Sequence, residues 1–289
     1  MTAKHVITFS TWFYLGIFFL YLFGPLAVMG VTAFNTPSYP QAFPFEAFTW
    51  HWFAVLSEDK DVLYGFTNSI KIGVLVVCLS VPLGLAGALV MQMVYSRARS
   101  LYYLVVVSPV LTPGVIIGIS TVIFWRDFTT LTGMRFMYDG TVLVVLGQSS
   151  FIAAYCMLII LARLQRFDRG LQEAALDLGA SHTQVFFHIL LPFLRPAMLS
   201  AAVLAFLSSF ENYNTTTIAI LADKTLTTVL AGRVRQGSTP AISALAVVII
   251  SVTVIAAILY EVLRRRDDAR KAIQLRNAAT AEAMELSPA

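Results

Sequence analysis

Two short polar stretches interrupt an otherwise apolar chain of 289 residues, and each gathers side chains able to do chemistry. The first runs from Arg166 to Gln184. Within it Leu171, Ala174, Ala175 and Leu178 recur at i, i+3, i+4 and i+7, the spacing of one face of a short amphipathic helix. Gly179 follows, the residue type that most readily takes a positive φ at a helix end. Ser181 and Gln184 then have the spacing of a capping box that opens a second helix. Glu173 and Asp177 are carboxylates that can accept hydrogen bonds from, or pair with, a basic partner. The apolar face has three possible fates: it lies in the lipid headgroup layer, caps the bundle, or docks in a groove on another protein.

The second stretch is Phe210-Glu211-Asn212-Tyr213-Asn214. It offers one carboxylate, amide oxygens and an aromatic face, a set suited to a cationic guest. A desolvated cation–π contact contributes about 2 kcal/mol. An acid at the edge of an apolar run marks a pathway or a substrate contact by default, unless Glu211 already stands at the outer water interface. Both readings fit. Pro113, with Pro109, Gly114 and Gly118, interrupts another apolar run, either as a kink or as the lining of a pathway.

No G-x-x-x-x-G-K-[ST] phosphate loop is present, so ATP is not bound by that route. Energy must come from a separate ATPase or from an ion gradient. His5, His51, His182 and His188 form no H-E-x-x-H, and Cys78 and Cys156 both sit in apolar runs, which excludes a disulfide scaffold. No catalytic set and no metal ligand set emerges. A gradient-driven transporter would carry ionisable groups on several spans, whereas Glu211, Lys71 and Arg195 all lie towards span ends.

The elements that position these groups follow from composition. The chain is 58% hydrophobic and 12% charged, too apolar to cover a water-soluble globule. About 20 apolar residues cross a bilayer, and six runs meet that length: Phe9–Phe34, Phe66–Val94, Leu101–Trp125, Thr141–Leu161, Phe186–Phe210 and Ala241–Leu263. The expected architecture is all-α and polytopic, a transmembrane domain over residues 1–265 with the 166–184 loop inside it and a polar cytoplasmic tail at 266–289. The first run is too long for a signal-peptide core and reads as a retained span. With the N-terminus inside, the inside segments hold Lys4, Arg97, Arg99, Arg163, Arg166, Arg169, Arg264, Arg265, Arg266, Arg270, Lys271 and Arg276. The outside segments hold Lys60, Arg126, Arg135, Lys224, Arg233 and Arg235. Twelve against six places both termini in the cytoplasm.

The spacing of Glu173-Ala174-Ala175, Gly179, Ile189 and Leu191-Pro192 resembles the EAA loop of ABC-importer permeases, the inner-membrane subunits of binding-protein-dependent transport. Asn68-Ser69 at the second run and Ser108-Pro109 through Pro113-Gly114 at the third extend the resemblance over most of the chain. It implies a type I permease fold in the bacterial inner membrane, with the EAA helix as a coupling helix seated in a cleft on a cytoplasmic ATPase. Glu173, Ala174, Ala175, Asp177, Gly179, Ile189, Leu191 and Pro192 would form that coupling set. The implied partners are a homologous permease in a heterodimer, two ATPase subunits that hold ATP and Mg, and an extracytoplasmic solute-binding protein, with no nucleic acid. The chain itself would bind no cofactor and catalyse no covalent step. Ser209-Phe210-Glu211-Asn212, Leu226 through Arg233 and Pro240 to Ala246 are similar to the spermidine/putrescine branch, which implies a polyamine moved by alternating access. That branch commonly has an acidic pair where this chain has Glu211 followed by Asn212. Related branches carry iron(III), thiamine, sulfate or organic solutes.

Overall fold

The computed structural model describes residues 3–237, 239–255, 258–259 and 261–262. The chain divides into two compact units, residues 1–58 with 237–289, and residues 59–236.

The first unit contains α1 (Ala3–Ala33), α2 (His51–Glu58) and α12 (Pro240–Ile255). Helix α1 exposes Trp12, Phe13, Tyr14, Phe18, Phe19 and Leu22 around its circumference, which is tolerable only with hydrocarbon as the solvent. The turn after it is organised by Asn35. Its side-chain amide donates to the carbonyls of Gln41 and Pro44, and its Oδ1 accepts from the N–H groups of Thr36 and Glu46. The Trp52 indole donates to the Asn35 carbonyl at 2.7 Å. The expected sixth span coincides with α12 as far as Ile255; the polar tail at 266–289 lies outside the described residues.

The second unit is built on α3 (Lys60–Met93), α6 (Gly140–Leu164) and α9 (Leu191–Phe210). Helices α3 and α6 run parallel: a Cβ on Gly84 would meet Cys156 and Met157, and Gln92 Nε2 donates to the Leu164 carbonyl. Helix α9 runs against them, since Gly73 abuts Phe206 while Arg163 Nε donates to the Phe193 carbonyl. Ile72, Val76, Leu143, Ile152, Met157, Ile160, Leu164 and Leu194 fill the interior of this trio. Helix α3 begins at Lys60, not at Phe66, because Asp59 accepts the Val62 N–H as its N-cap. The first loop is shorter than expected by the same amount.

The third expected span, Leu101–Trp125, is not one helix. It is divided into α4 (Ser96–Leu111) and α5 (Gly114–Thr132). Thr112 precedes Pro113, and the pyrrolidine ring forces such a residue out of the helical region; both are extended, with ψ 131. The Ser108 carbonyl released by the break is recovered by the Thr112 hydroxyl at 3.0 Å. Five helices of the described residues are long and apolar enough to cross a membrane, among them α5 but not α4.

Candidate functional site

The first polar stretch lies where α3 and α6 end and α9 begins. Helix α7 (Arg169–Asp177) is opened by Asp168, whose Oδ1 accepts the Gly170 N–H at 2.9 Å. It closes in a Schellman motif: Ala180 N–H donates to the Ala175 carbonyl and Gly179 N–H to the Leu176 carbonyl. Gly179 takes φ +88, a left-handed value that a Cβ disfavours. The expected glycine break is therefore present. So is the capping box: Ser181 Oγ accepts the Gln184 N–H, and Gln184 Oε1 accepts the Ser181 N–H. It starts α8 (His182–Val185), which joins α9 through a π-helical turn, Phe186–Leu190. Pro192 explains that turn, because its ring would clash with the carbonyl four residues back in a regular helix. Ile189 and Leu191 are half-buried there and Pro192 is exposed.

No residue of α7 is buried. Leu171 is 55% exposed and Leu178 89% exposed, with Ala174 exposed between them, whereas Gln172, Ala175 and Leu176 are half-buried. Leu171, Ala174 and Leu178 of the apolar face read from the sequence thus point away from the bundle, while its fourth member, Ala175, turns partly inward. Glu173 and Asp177 stand exposed on the same helix.

The second polar stretch occupies the opposite end. After α9 the chain runs through residues 211–215, the single turn α10 (Thr216–Ala219), residues 220–225 and then α11 (Leu226–Gln236). This segment does not stay at the surface. Ile220 lies so close to α6 that a Cβ on Gly140 would be 2.1 Å from its carbonyl oxygen, and Thr215 lies against Gly147. Seven residues of helix separate those contacts, so the segment reaches about 10 Å along α6. Irregular backbone at such depth persists only where protein or trapped water satisfies it. Here protein does: Thr215 Oγ1 donates to the Gly114 carbonyl at the α4–α5 break, and the Asn212 side-chain oxygen accepts from the Thr215 and Thr216 N–H groups.

Gln148, 1% exposed in α6, ties the segment to α9. Its Oε1 accepts from Ser209 Oγ, and its Nε2 donates to Thr216 Oγ1 at 2.8 Å. A second set of contacts clamps residues 223–233 onto the head of α3. Asp223 accepts from Tyr64 Oη (2.8 Å) and Asn68 Nδ2 (3.0 Å), the Leu226 N–H donates to Ser69 Oγ, and Lys224 pairs with Asp61 at 3.0 Å. Arg233 pairs with Asp59. Burial pushes the Asp59 carboxyl up, but the Arg233 guanidinium and the Val62 N–H outweigh it and hold the group below its ordinary value.

The residues expected to line a pathway are adjacent but not equivalent. Glu211 caps the C-terminus of α9 and is exposed, and its carboxylate has no hydrogen-bond or ion-pair partner among the described residues. The Asn212 side-chain oxygen is committed to the backbone, Tyr213 Oη accepts from Arg235 at 2.8 Å, and Phe210 stacks on Phe206 with its edge contact to Phe66. Pro113 marks the helix break nearby. Sequence reasoning missed the roles of Tyr64, Gln148 and Asp223. Asp61, Tyr64 and Asn68 do carry a signal, a polar stripe at i, i+3 and i+7 on the head of an apolar helix; so does Gln148, an amide inside a span.

Residues 80–267 match the family model described as the inner membrane component of binding-protein-dependent transport systems. Among curated proteins the chain is similar to the putrescine transport system permease protein PotI of Escherichia coli, 27% identical over 80% of this chain and 82% of that one. It is also similar to the spermidine/putrescine permease PotC of Haemophilus influenzae, 22% identical over 87% and 95%. Among solved structures it shares its fold with a chain of a bacterial ABC transporter that imports the acidic polysaccharide alginate. The TM-score there is 0.67 at 18% identity, covering 89% of this chain and 94% of that one.

Proposed function

Because the chain belongs to the family of binding-protein-dependent transport system inner membrane components, we propose that it passes a polyamine of the putrescine or spermidine type through the membrane by alternating access. It is a permease subunit of an ABC importer, a multi-pass membrane protein and not an enzyme. The observation that carries the polyamine reading is Glu211, a carboxylate without a partner among the described residues at the end of α9, with the aromatic residues Phe210 and Tyr213 next to it in the chain. A carboxylate and an aromatic face together suit an alkylammonium group. The permeases named for putrescine and spermidine among its relatives support the same choice. With Asn212 in place of a second acid, this chain takes one ammonium, and a homologous permease paired with it supplies the acid for the other.

The outward-facing stripe of Leu171, Ala174 and Leu178 seats α7 in a cleft on an ATPase subunit, with Glu173 and Asp177 meeting basic groups at its rim. Two such ATPases hydrolyse ATP with Mg, and an extracytoplasmic binding protein delivers the solute. Both termini and α7 face the cytoplasm. Closing the ATPases displaces the α7–α8 hairpin, and α9, about 30 Å long, carries the displacement to Glu211 and the inserted 212–220 segment.

The test is uptake of labelled putrescine by proteoliposomes holding the complete importer. Uptake should require ATP, and Glu211→Gln should lower it by on the order of tenfold through loss of a charge-assisted hydrogen bond. Full uptake by the variant would remove Glu211 from the pathway. Uptake by this chain alone under a proton gradient would overturn the importer mechanism.

A further inference from the structure

We propose that the chain binds one anionic phospholipid, its headgroup held by Arg99 and Arg169 and an acyl chain lying along α4. A cavity of about 210 Å³ sits at the end of the bundle that carries α7. Arg99 of α4 and Arg169, the first residue of α7, line it together with Gln92 and Gln165 at the ends of α3 and α6. It adjoins a second cavity of about 490 Å³ through Met91 and Arg99, which line both; Ser100, Tyr103 and Leu104 form the rest of that wall.

Charge and polarity define the occupant. Neither arginine side chain has an ion-pair or hydrogen-bond partner among the described residues, and no Asp or Glu lines either cavity. The nearest acid in sequence, Asp168, has its Oδ1 engaged by the Gly170 N–H. Two uncompensated guanidiniums with the Gln165 side-chain amide beside them match a phosphate, which arginine binds through paired N–H groups. The adjoining groove matches a hydrocarbon chain, since Leu104 is 63% exposed on a helix of a membrane protein. A polar compartment opening onto an apolar flank selects an amphiphile over a soluble anion or a partner's carboxylate, and basic pockets between membrane helices are where anionic headgroups bind. Arg169 starts α7, so a bound headgroup braces the hairpin and makes its position sensitive to membrane charge. This inference takes from the proposed function only that α7 lies at the cytoplasmic leaflet.

The test is retention of phosphatidylglycerol by the complete importer, extracted from vesicles of phosphatidylcholine with a phosphatidylglycerol minority and read by mass spectrometry. The wild type should keep one phosphatidylglycerol per copy of this chain. Arg99→Gln and Arg169→Gln should each weaken retention about fivefold in a phosphatidylglycerol titration, the loss expected for one basic residue at a membrane surface. Arg99→Lys, which keeps the charge, should weaken it less, and Arg97→Gln, outside both cavities, should leave it unchanged. Excess inorganic phosphate should not displace the lipid. Wild-type retention by both Gln variants, equal loss with Arg97→Gln, or displacement by phosphate would each overturn the proposal. Retention is measured without ATP or solute, so a failure of putrescine uptake bears on the transport reading alone.

Discussion

Replacing Gly179 isolates backbone conformation from packing. A Cβ at this position would meet nothing within 4 Å, and φ is +88. Steric exclusion is therefore absent, and the cost of a side chain is that of holding an L-residue in the left-handed region, about 1–2 kcal/mol. That strain acts on the two hydrogen bonds that close α7, from Ala180 to Ala175 and from Gly179 to Leu176. For Gly179→Ala, the opening equilibrium of this helix end should rise about five- to thirtyfold, at 1.4 kcal/mol per factor of ten. Amide exchange at Ala180 reads it directly in the assembled importer. Gly179→Asn should fall between glycine and alanine, because asparagine tolerates the left-handed region, and Gly179→Val should exceed alanine because it is β-branched. The thermal transition of the bundle should not move, since the hairpin is exposed. ATP hydrolysis should continue while uptake falls in the same order, glycine above asparagine, alanine and valine. Equal exchange in the alanine and asparagine variants, or a lowered thermal transition in either, would refute the argument.

Three further outcomes follow from the inserted segment and its clamp. Gly140→Ala places a Cβ 2.1 Å from the Ile220 carbonyl oxygen, so the backbone must move; the thermal transition should fall clearly, whereas Gly16→Ala, with open space around it, should leave it unchanged. Gln148→Leu removes two buried hydrogen bonds and should destabilise by about 1–3 kcal/mol, given roughly 0.6 to 1.7 kcal/mol per bond between membrane helices; chemical denaturation in mixed micelles measures it. For Asp59 the folded-state pKa is depressed, so its contribution is present above the ordinary carboxylate range and disappears as pH falls through the folded value. The stability gap between wild type and Asp59→Asn should therefore be constant near neutral pH and close only below about pH 4.

The long apolar helices were legible because length in a bilayer is set by thickness, which a sequence reports directly. The α7–Gly179–α8 hairpin was legible for a different reason: periodicity, a left-handed cap and a capping box are all local. The third span was misread because hydropathy averages over Pro113, while the backbone does not. The inserted 212–220 segment escaped for the complementary reason. Its threonines look like an exposed loop, and only contacts with residues 68–101 positions away, such as Gly114, Gly140 and Gln148, reveal that it is buried. The exposure of Glu211 was not legible, since exposure at a helix end is decided by where the helix stops.

The π-helical turn at Phe186–Leu190 also sets an angular phase. One residue more than a regular turn rotates everything before it by about 100° relative to everything after it. Deleting a single residue there, combined with Pro192→Ala so that no ring opposes regular helix, leaves both α7 and α9 intact, yet it swings the face carrying Leu171 and Leu178 by that angle. The hairpin would then be folded and exposed but turned to a different side. In this region the direction in which α7 faces depends on the number of residues as well as on their types.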